Sequence, residues 1–277
     1  MSDSPHSSDD QGSDPSQAQA PLIEHLIELR SRLVIIMGFL LVGFIACFIF
    51  SETLYQWLLL PYRDAASIVR GVPVEELDLT ANFFAPLEFF FVRLKLSLVG
   101  SIIIIFPVIA WQIYGFVAPG LYKNERGAFA PFLAMSPVLF GLGVSFVYFF
   151  VLPMVMRFSL GQEQSAELVG TRIELLLNVS DYMNLITTLM LVFGISFQMP
   201  VFLMLLAKAG ILRAKTLLKG WRFAVVGIAL FAAFATPPDP ISQIMLGGAL
   251  MLLYFISIGG MHFMQPSETT EDERQED

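Results

Sequence analysis

The 277-residue chain is 56 % hydrophobic and only 14 % charged, whereas a soluble domain carries charge on about a quarter of its residues. That balance, with positive mean hydropathy, excludes a soluble globular protein and points to a polytopic membrane protein. The net charge of -8 gives no reason to expect a nucleic-acid partner, because many of the acids crowd the two chain ends, Asp3 to Asp14 and Glu268 to Asp277.

Residues 1–20 are acidic and polar, with no basic start and no apolar core, which argues against a cleaved signal peptide and for a disordered tail in the cytoplasm. Residues 265–277 read as a second acidic tail, leaving 21–264 as one membrane domain. Residues 21–33 read as an amphipathic helix. Leu22, Leu26, Leu29 and Leu33 fall on one face, while Glu24, Glu28, Ser31 and Arg32 fall on another. Pro21 suits the first turn, and Glu28 and Arg32 stand one turn apart in the favourable acid-before-base order. The uncharged run that follows makes residues 33–50 a first membrane span, since about 20 mostly apolar residues suffice.

Residues 51–84 contain Pro61, Pro73, Arg63, Arg70, Glu75, Glu76 and Asp78, a structured loop too polar for lipid. The second span, 86–113, opens with Glu88, Arg93 and Lys95, which must snorkel, pair, or face other helices. Trp111 and Tyr114 then mark an interface. After the polar segment 116–126, a third span covers 128–152, where Pro131 and Pro137 favour a kink or a delayed start. Residues 157–180 are expected as another exposed loop. The fourth span, 182–207, contains Asn184, Gln198 and Pro200, and Lys208, Arg213, Lys215, Lys219 and Arg222 crowd the loop after it.

The fifth apolar run, 223–235, would reach only about 20 Å against a hydrocarbon core of about 30 Å. Such a helix thins the bilayer or sits within an assembly. A sixth span, 241–261, starts beside Pro240 and carries Gln243 near its beginning. The fold class is therefore all-α, with six transmembrane helices and no visible internal repeat. Basic residues near the span ends place both termini in the cytoplasm.

Two carboxylates fall on the cytoplasmic side, Glu28 and Glu125. Paired carboxylates can each take a guanidinium through two parallel hydrogen bonds, a geometry lysine does not copy. Alternatively, Glu28 pairs with Arg32, and Glu125 with Lys123 or Arg126, as ordinary interfacial bridges worth under about 1 kcal/mol. Gln198 either hydrogen-bonds a neighbouring helix or lines a cavity. Gly141 and Gly143 are expected to mark close helix packing. His25 reads as an interfacial side chain, and no metal site is expected. The sole cysteine, Cys47, permits no intrachain disulfide. No nucleotide loop, zinc-protease helix, hydrolase elbow or dinucleotide fingerprint is present, so no cofactor and no enzymatic step are expected.

Four stretches carry a resemblance: His-Leu-Ile-Glu-Leu-Arg-Ser-Arg-Leu at 25–33, Phe-Val-Ala-Pro-Gly-Leu-Tyr-Lys-Asn-Glu-Arg at 116–126, Phe-Gly-Ile-Ser-Phe-Gln-Met-Pro at 193–200, and Thr-Pro-Pro-Asp at 236–239. In that order and topology the chain resembles the TatC family, receptor subunits of the twin-arginine protein translocase of the bacterial inner membrane. The resemblance implies six helices cupped like a hand, with the fifth and sixth too short to span. It implies recognition of the paired arginines of signal peptides on folded cargo by Glu28 and Glu125, with Arg30 and Phe116 also sensitive. Pro61 matches a proline of the first outer loop. Thr236 and Gln243 match positions where a single-span partner helix of the TatB or TatA type docks, and Asp239 belongs to the same motif. Other copies of the chain and membrane lipid complete the implied partners, with export driven by the proton gradient. Many family members carry glutamate where this chain has Gln198, which puts a role needing ionisation there in doubt. The rival reading, a secondary transporter of a small solute or ion, lacks the usual paired repeats.

Overall fold

The computed structural model describes residues 15–77, 81–82, 84–117, 126–167, 177–236 and 238–264. Helix α1 (Pro15–Ile49) is followed by α2 (Ser51–Arg70), α3 (Glu88–Val117) and α4 (Arg126–Phe146), the last running through a π turn (Val147–Val151) into α5 (Leu152–Glu167). Then come α6 (Val179–Ser196), α7 (Met199–Lys208), α8 (Ala214–Lys219), α9 (Trp221–Ala235) and α10 (Pro240–Met264). Among the described residues, five helical stretches are long and apolar enough to cross a membrane, namely His25–Ile49, Glu88–Phe116, Leu133–Gln162, Val179–Lys208 and Pro240–His262, and Trp221–Ala235 is a shorter apolar helix. All six expected spans are therefore present, in an all-α polytopic fold. The fifth is as short as its composition required. The sixth is not: α10 runs 25 residues, about 38 Å at 1.5 Å per residue, because nothing interrupts it between Pro240 and Met264.

Two expected loops are helices. Residues 51–70 form α2, whose Leu58, Tyr62, Ala65 and Ala66 are buried while Arg63, Asp64 and Arg70 stay exposed. The third span likewise continues past Arg157 to Glu167. Overall hydropathy hides such helices, because only one face of each is apolar. At the other end, α1 begins at Pro15 rather than Pro21, so the helix takes in the last part of the expected tail. Beyond α2 and α5 the two connecting segments pair as short parallel strands, Ala81 with Leu177 and Asn82 with Asn178.

Pro61 lies inside α2, where its missing N–H leaves the Trp57 carbonyl without its helical donor. The Tyr148 hydroxyl, from the π turn, donates to that carbonyl at 2.9 Å. Tyr182 of α6 donates to the next carbonyl, Leu58, at 2.8 Å. A proline thus creates an acceptor that pins α2 onto the bundle. Tyr148→Phe is expected to lower stability by about 1–2 kcal/mol, the usual cost of an orphaned polar group, read as a lower melting temperature. In a Pro61→Ala background, which restores the N–H, that penalty should disappear.

Between helices in lipid, close van der Waals contact and hydrogen bonds replace hydrophobic driving force. Antiparallel α1 and α3 meet through small residues. A Cβ on Gly43 would lie 2.6 Å from Ser101 Oγ, and that hydroxyl donates to the Leu40 carbonyl at 3.0 Å. Helix α4 meets α6 at Gly143, where a Cβ would stand 2.7 Å from the Phe193 carbonyl oxygen. Gly141, expected to serve the same purpose, has nothing within 4 Å. Helix α6 is the centre of the core, with Ile186, Leu189 and Phe193 wholly buried.

The charges at the start of α3 find partners. Arg93 donates to Ser51 Oγ at 2.8 Å, pairs with Glu52 at 3.5 Å and lies 5.3 Å over the Phe48 ring. Lys95 donates to Asn184 Oδ1 at 2.8 Å. They join helices rather than standing alone, as charges at membrane depth must.

Candidate functional site

The register of α1 on α3 places the start of one beside the end of the other. His25 stacks on Phe116 with ring centroids 4.2 Å apart and planes at 19°. Two turns further along α1, Arg32 reaches in three directions. Its Nε and Nη2 donate to Glu28 Oε1 at 3.1 and 2.6 Å, and its Nη1 donates to Gln112 Oε1 of α3 at 3.3 Å. The guanidinium also packs against Gly115, where an added Cβ would come within 2.7 Å of its Cζ.

Glu28 is therefore engaged through one oxygen. Its side chain keeps 33 % of its accessible surface and that of Arg32 keeps 24 %. Among the described residues no donor reaches Oε2. Of the two alternatives for Glu28, the pairing with Arg32 is present, and it engages one of the two carboxylate oxygens. Arg30 is exposed on α1 and Phe116 is half-buried. Glu125 lies outside the described residues; in sequence it immediately precedes Arg126, where α4 begins.

Gln112 and Gly115 were not singled out from sequence. A signal existed: Gln112 is a lone amide in the apolar end of α3, one helical turn before Phe116.

At the α6–α7 junction Gln198 uses both ends of its amide on one residue of α4. Ser136 Oγ donates to its Oε1 at 2.6 Å, and its Nε2 donates to the Ser136 carbonyl at 2.9 Å. The cross-helix alternative is the one realised, and it needs no ionised group.

Thr236 and Gln243 are treated differently by the fold. Thr236 is buried, and its hydroxyl donates to the Ala232 carbonyl at 2.8 Å, closing the end of α9. Gln243 is exposed and borders a shallow groove of ≈ 380 Å³ with Ala229, Ala232, Pro240, Ile244 and Gly247. Asp239 caps α10: its Oδ1 accepts from the Ser242 N–H at 2.6 Å, directly before a proline at the first helical position. Pro61 is buried within α2, far along the chain from the Glu28 site and at the opposite end of α1.

Comparison with known proteins agrees with this anatomy. The family model described as Sec-independent protein translocase protein (TatC) matches residues 24–248. Among similar proteins, the Sec-independent protein translocase protein TatC of Magnetococcus marinus is 39 % identical over 87 % of this chain and 84 % of its own length. That of Synechocystis is 36 % identical over 88 % of this chain and 89 % of its own, and that of Rickettsia prowazekii is 36 % identical over 89 % and 94 %. A crystal structure described as the twin-arginine translocase receptor TatC superposes with a TM-score of 0.70 at 33 % identity, covering 86 % of this chain and 98 % of the other. With a family model spanning most of its length and relatives more than 30 % identical over most of theirs, the chain belongs to the TatC family of Sec-independent protein translocase proteins.

Proposed function

We propose that this protein binds the twin-arginine signal peptides of folded cargo at the Glu28 end of the bundle, as the receptor of a proton-gradient-driven export system. The observation that carries the reading is the state of Glu28: an acidic side chain beside the end of α3, one-third exposed, with Oε1 held by Arg32 and no donor among the described residues on Oε2. A guanidinium can grip that carboxylate by charge-assisted bonds. Glu125 supplies the second acid, Phe116 and its stacking partner His25 form a flat aromatic surface, and Arg30 is an exposed cation on α1.

In this reading the Glu28 end faces the cytoplasm, with both termini, in the bacterial inner membrane. Support comes from the basic residues that share that end, Lys208, Arg213, Lys215, Lys219 and Arg222, as the positive-inside tendency requires. The short α9 and the groove beside Gln243 receive a single-span subunit of the TatB or TatA type, and Thr236 shapes that surface by closing α9. Further copies of the chain and membrane lipid surround the remaining apolar faces. Asp239 and Pro61 act as scaffold residues, and Gln198 holds α4 to the α6–α7 junction.

The test is photo-crosslinking in native membrane vesicles, with the reactive group placed next to the arginine pair of a signal peptide. Adducts on the first turns of α1 or the end of α3, lost when the pair becomes Lys-Lys, are the expected result. Adducts mapping to α2 or to the start of α3, or persisting unchanged with Lys-Lys, would remove the site from this end.

A further inference from the structure

Resting on that reading, we infer that Arg32 is a resident competitor for the cargo arginine: it occupies the Glu28 carboxylate in the free receptor and sets the affinity threshold that a signal peptide must overcome. Arg32 already makes the contact an incoming guanidinium would make, with Nε and Nη2 both on Glu28 Oε1. A peptide arginine that takes both carboxylate oxygens in parallel needs a place on Oε1, which already accepts two bonds from Arg32, so it must displace at least one of them.

The structure also provides for the displaced side chain. Gln112 Oε1 already accepts from Arg32 Nη1 at 3.3 Å, and the guanidinium already packs against Gly115 of α3. Arg32 therefore keeps a neutral acceptor and its packing when Glu28 is taken, so release needs no travel into lipid. Two states follow, closed on Glu28 and withdrawn to Gln112. The apparent dissociation constant of any ligand of Glu28 rises by the inverse of the withdrawn fraction. That factor applies in full to a guanidinium, which needs both oxygens, and less to an ammonium, which can settle on Oε2 alone, so Arg32 chiefly tunes the strength of arginine binding. A receptor that must hand its cargo on gains from such weak, exchangeable binding.

The experiment measures affinity by fluorescence anisotropy, using the full-length protein in lipid nanodiscs and labelled signal peptides bearing Arg-Arg or Lys-Lys. Arg32→Gln is expected to tighten the Arg-Arg peptide by about threefold, the scale of a partly exposed i,i+4 ion pair reinforced by one further bond, and the Lys-Lys peptide by less. Arg32→Lys keeps the charge but loses the two-pronged grip, so it should tighten the Arg-Arg peptide by a smaller factor. Should Arg32→Gln tighten binding while Arg32→Lys stays at the native value, simple charge repulsion explains the effect and the competitor is overturned. Weaker or unaltered binding in both variants overturns it as well. Glu28→Gln separates the two layers: if it leaves affinity intact, the receptor reading itself fails, whereas its loss of binding beside unresponsive Arg32 variants removes only the competitor.

Discussion

Glu28→Gln is expected to lower the affinity for an Arg-Arg signal peptide by about ten- to a hundredfold, because hydrogen bonds to a charged group are worth about 1.5–3 kcal/mol each. Glutamine keeps the size and one acceptor oxygen of the side chain. It loses the charge and the second acceptor, and with them the bidentate geometry. Glu125→Gln should act similarly, and the double variant should reduce export of a folded reporter to background. Stability should barely move. The native Glu28–Arg32 bridge is an i,i+4 pair with a third of the Glu28 side chain exposed, and such pairs contribute only about 0.3–0.5 kcal/mol. A fall in peptide affinity with an unchanged melting temperature therefore identifies a binding carboxylate, whereas equal losses in both would mark Glu28 as scaffold. Unchanged affinity would exclude it from recognition altogether.

Gly143→Val is expected to prevent α4 from seating on α6. A Cβ at 143 would stand 2.7 Å from the Phe193 carbonyl oxygen and 3.0 Å from Gly194 Cα, and both are backbone atoms of a helix that cannot rotate away. One turn earlier on α4, the Phe140 ring already sits 2.7–3.0 Å from where a Cβ on Gly194 would be. Overpacking at a rigid contact costs about 1–3 kcal/mol, occasionally more, and valine adds two further methyls. The melting temperature in mild detergent should fall by several degrees, at about 2–4 °C per kcal/mol for a chain of this size. Gly141→Val, two residues away with open space around it, provides the control and should melt near the native value. If both variants behave alike, the α4–α6 contact is not held at Gly143.

The same local chemistry appears wherever the chain bends against its pattern. Pro61 removes a donor and Tyr148 replaces it from another helix. Pro153 opens α5 directly after the π turn Val147–Val151, whose wider spacing is shown by the Leu152 N–H reaching the Val147 carbonyl. A proline at 153 cannot donate to the carbonyl four residues back, and the local widening accommodates that loss. In each case an unsatisfied backbone group, costly in lipid, decides where a side chain or an irregular turn must lie.

Much of this was legible in the residues. Long uncharged runs announce spans because no other structure satisfies backbone hydrogen bonds in hydrocarbon, and the shortness of the fifth helix follows from counting residues up to Thr236. Helix α2 was not read as a helix, although Leu58, Tyr62, Ala65 and Ala66 recur at helical spacing, because Pro61 and the charges among them suggested a loop. The extension of α5 past Arg157 was missed for the same reason: half-polar helices at an interface differ from loops only in periodicity. The Glu28–Arg32 pair could be anticipated, since it is local. Its third member could not, because Gln112 lies 80 residues away and nothing in its neighbourhood names a partner.

By itself the amino-acid order determined the membrane class, the number of spans and the family likeness, since each depends on composition, on the length of apolar runs or on short motifs. Tertiary structure alone decided that Glu28 is half-occupied by Arg32, that Gln198 serves Ser136, that Gly143 and not Gly141 lies in a contact, and that Thr236 turns inward while Gln243 faces out. Those outcomes depend on which helix faces which, and between helices in lipid that choice is made by close packing and by the hydrogen-bond needs of buried polar groups, which no single stretch of chain contains.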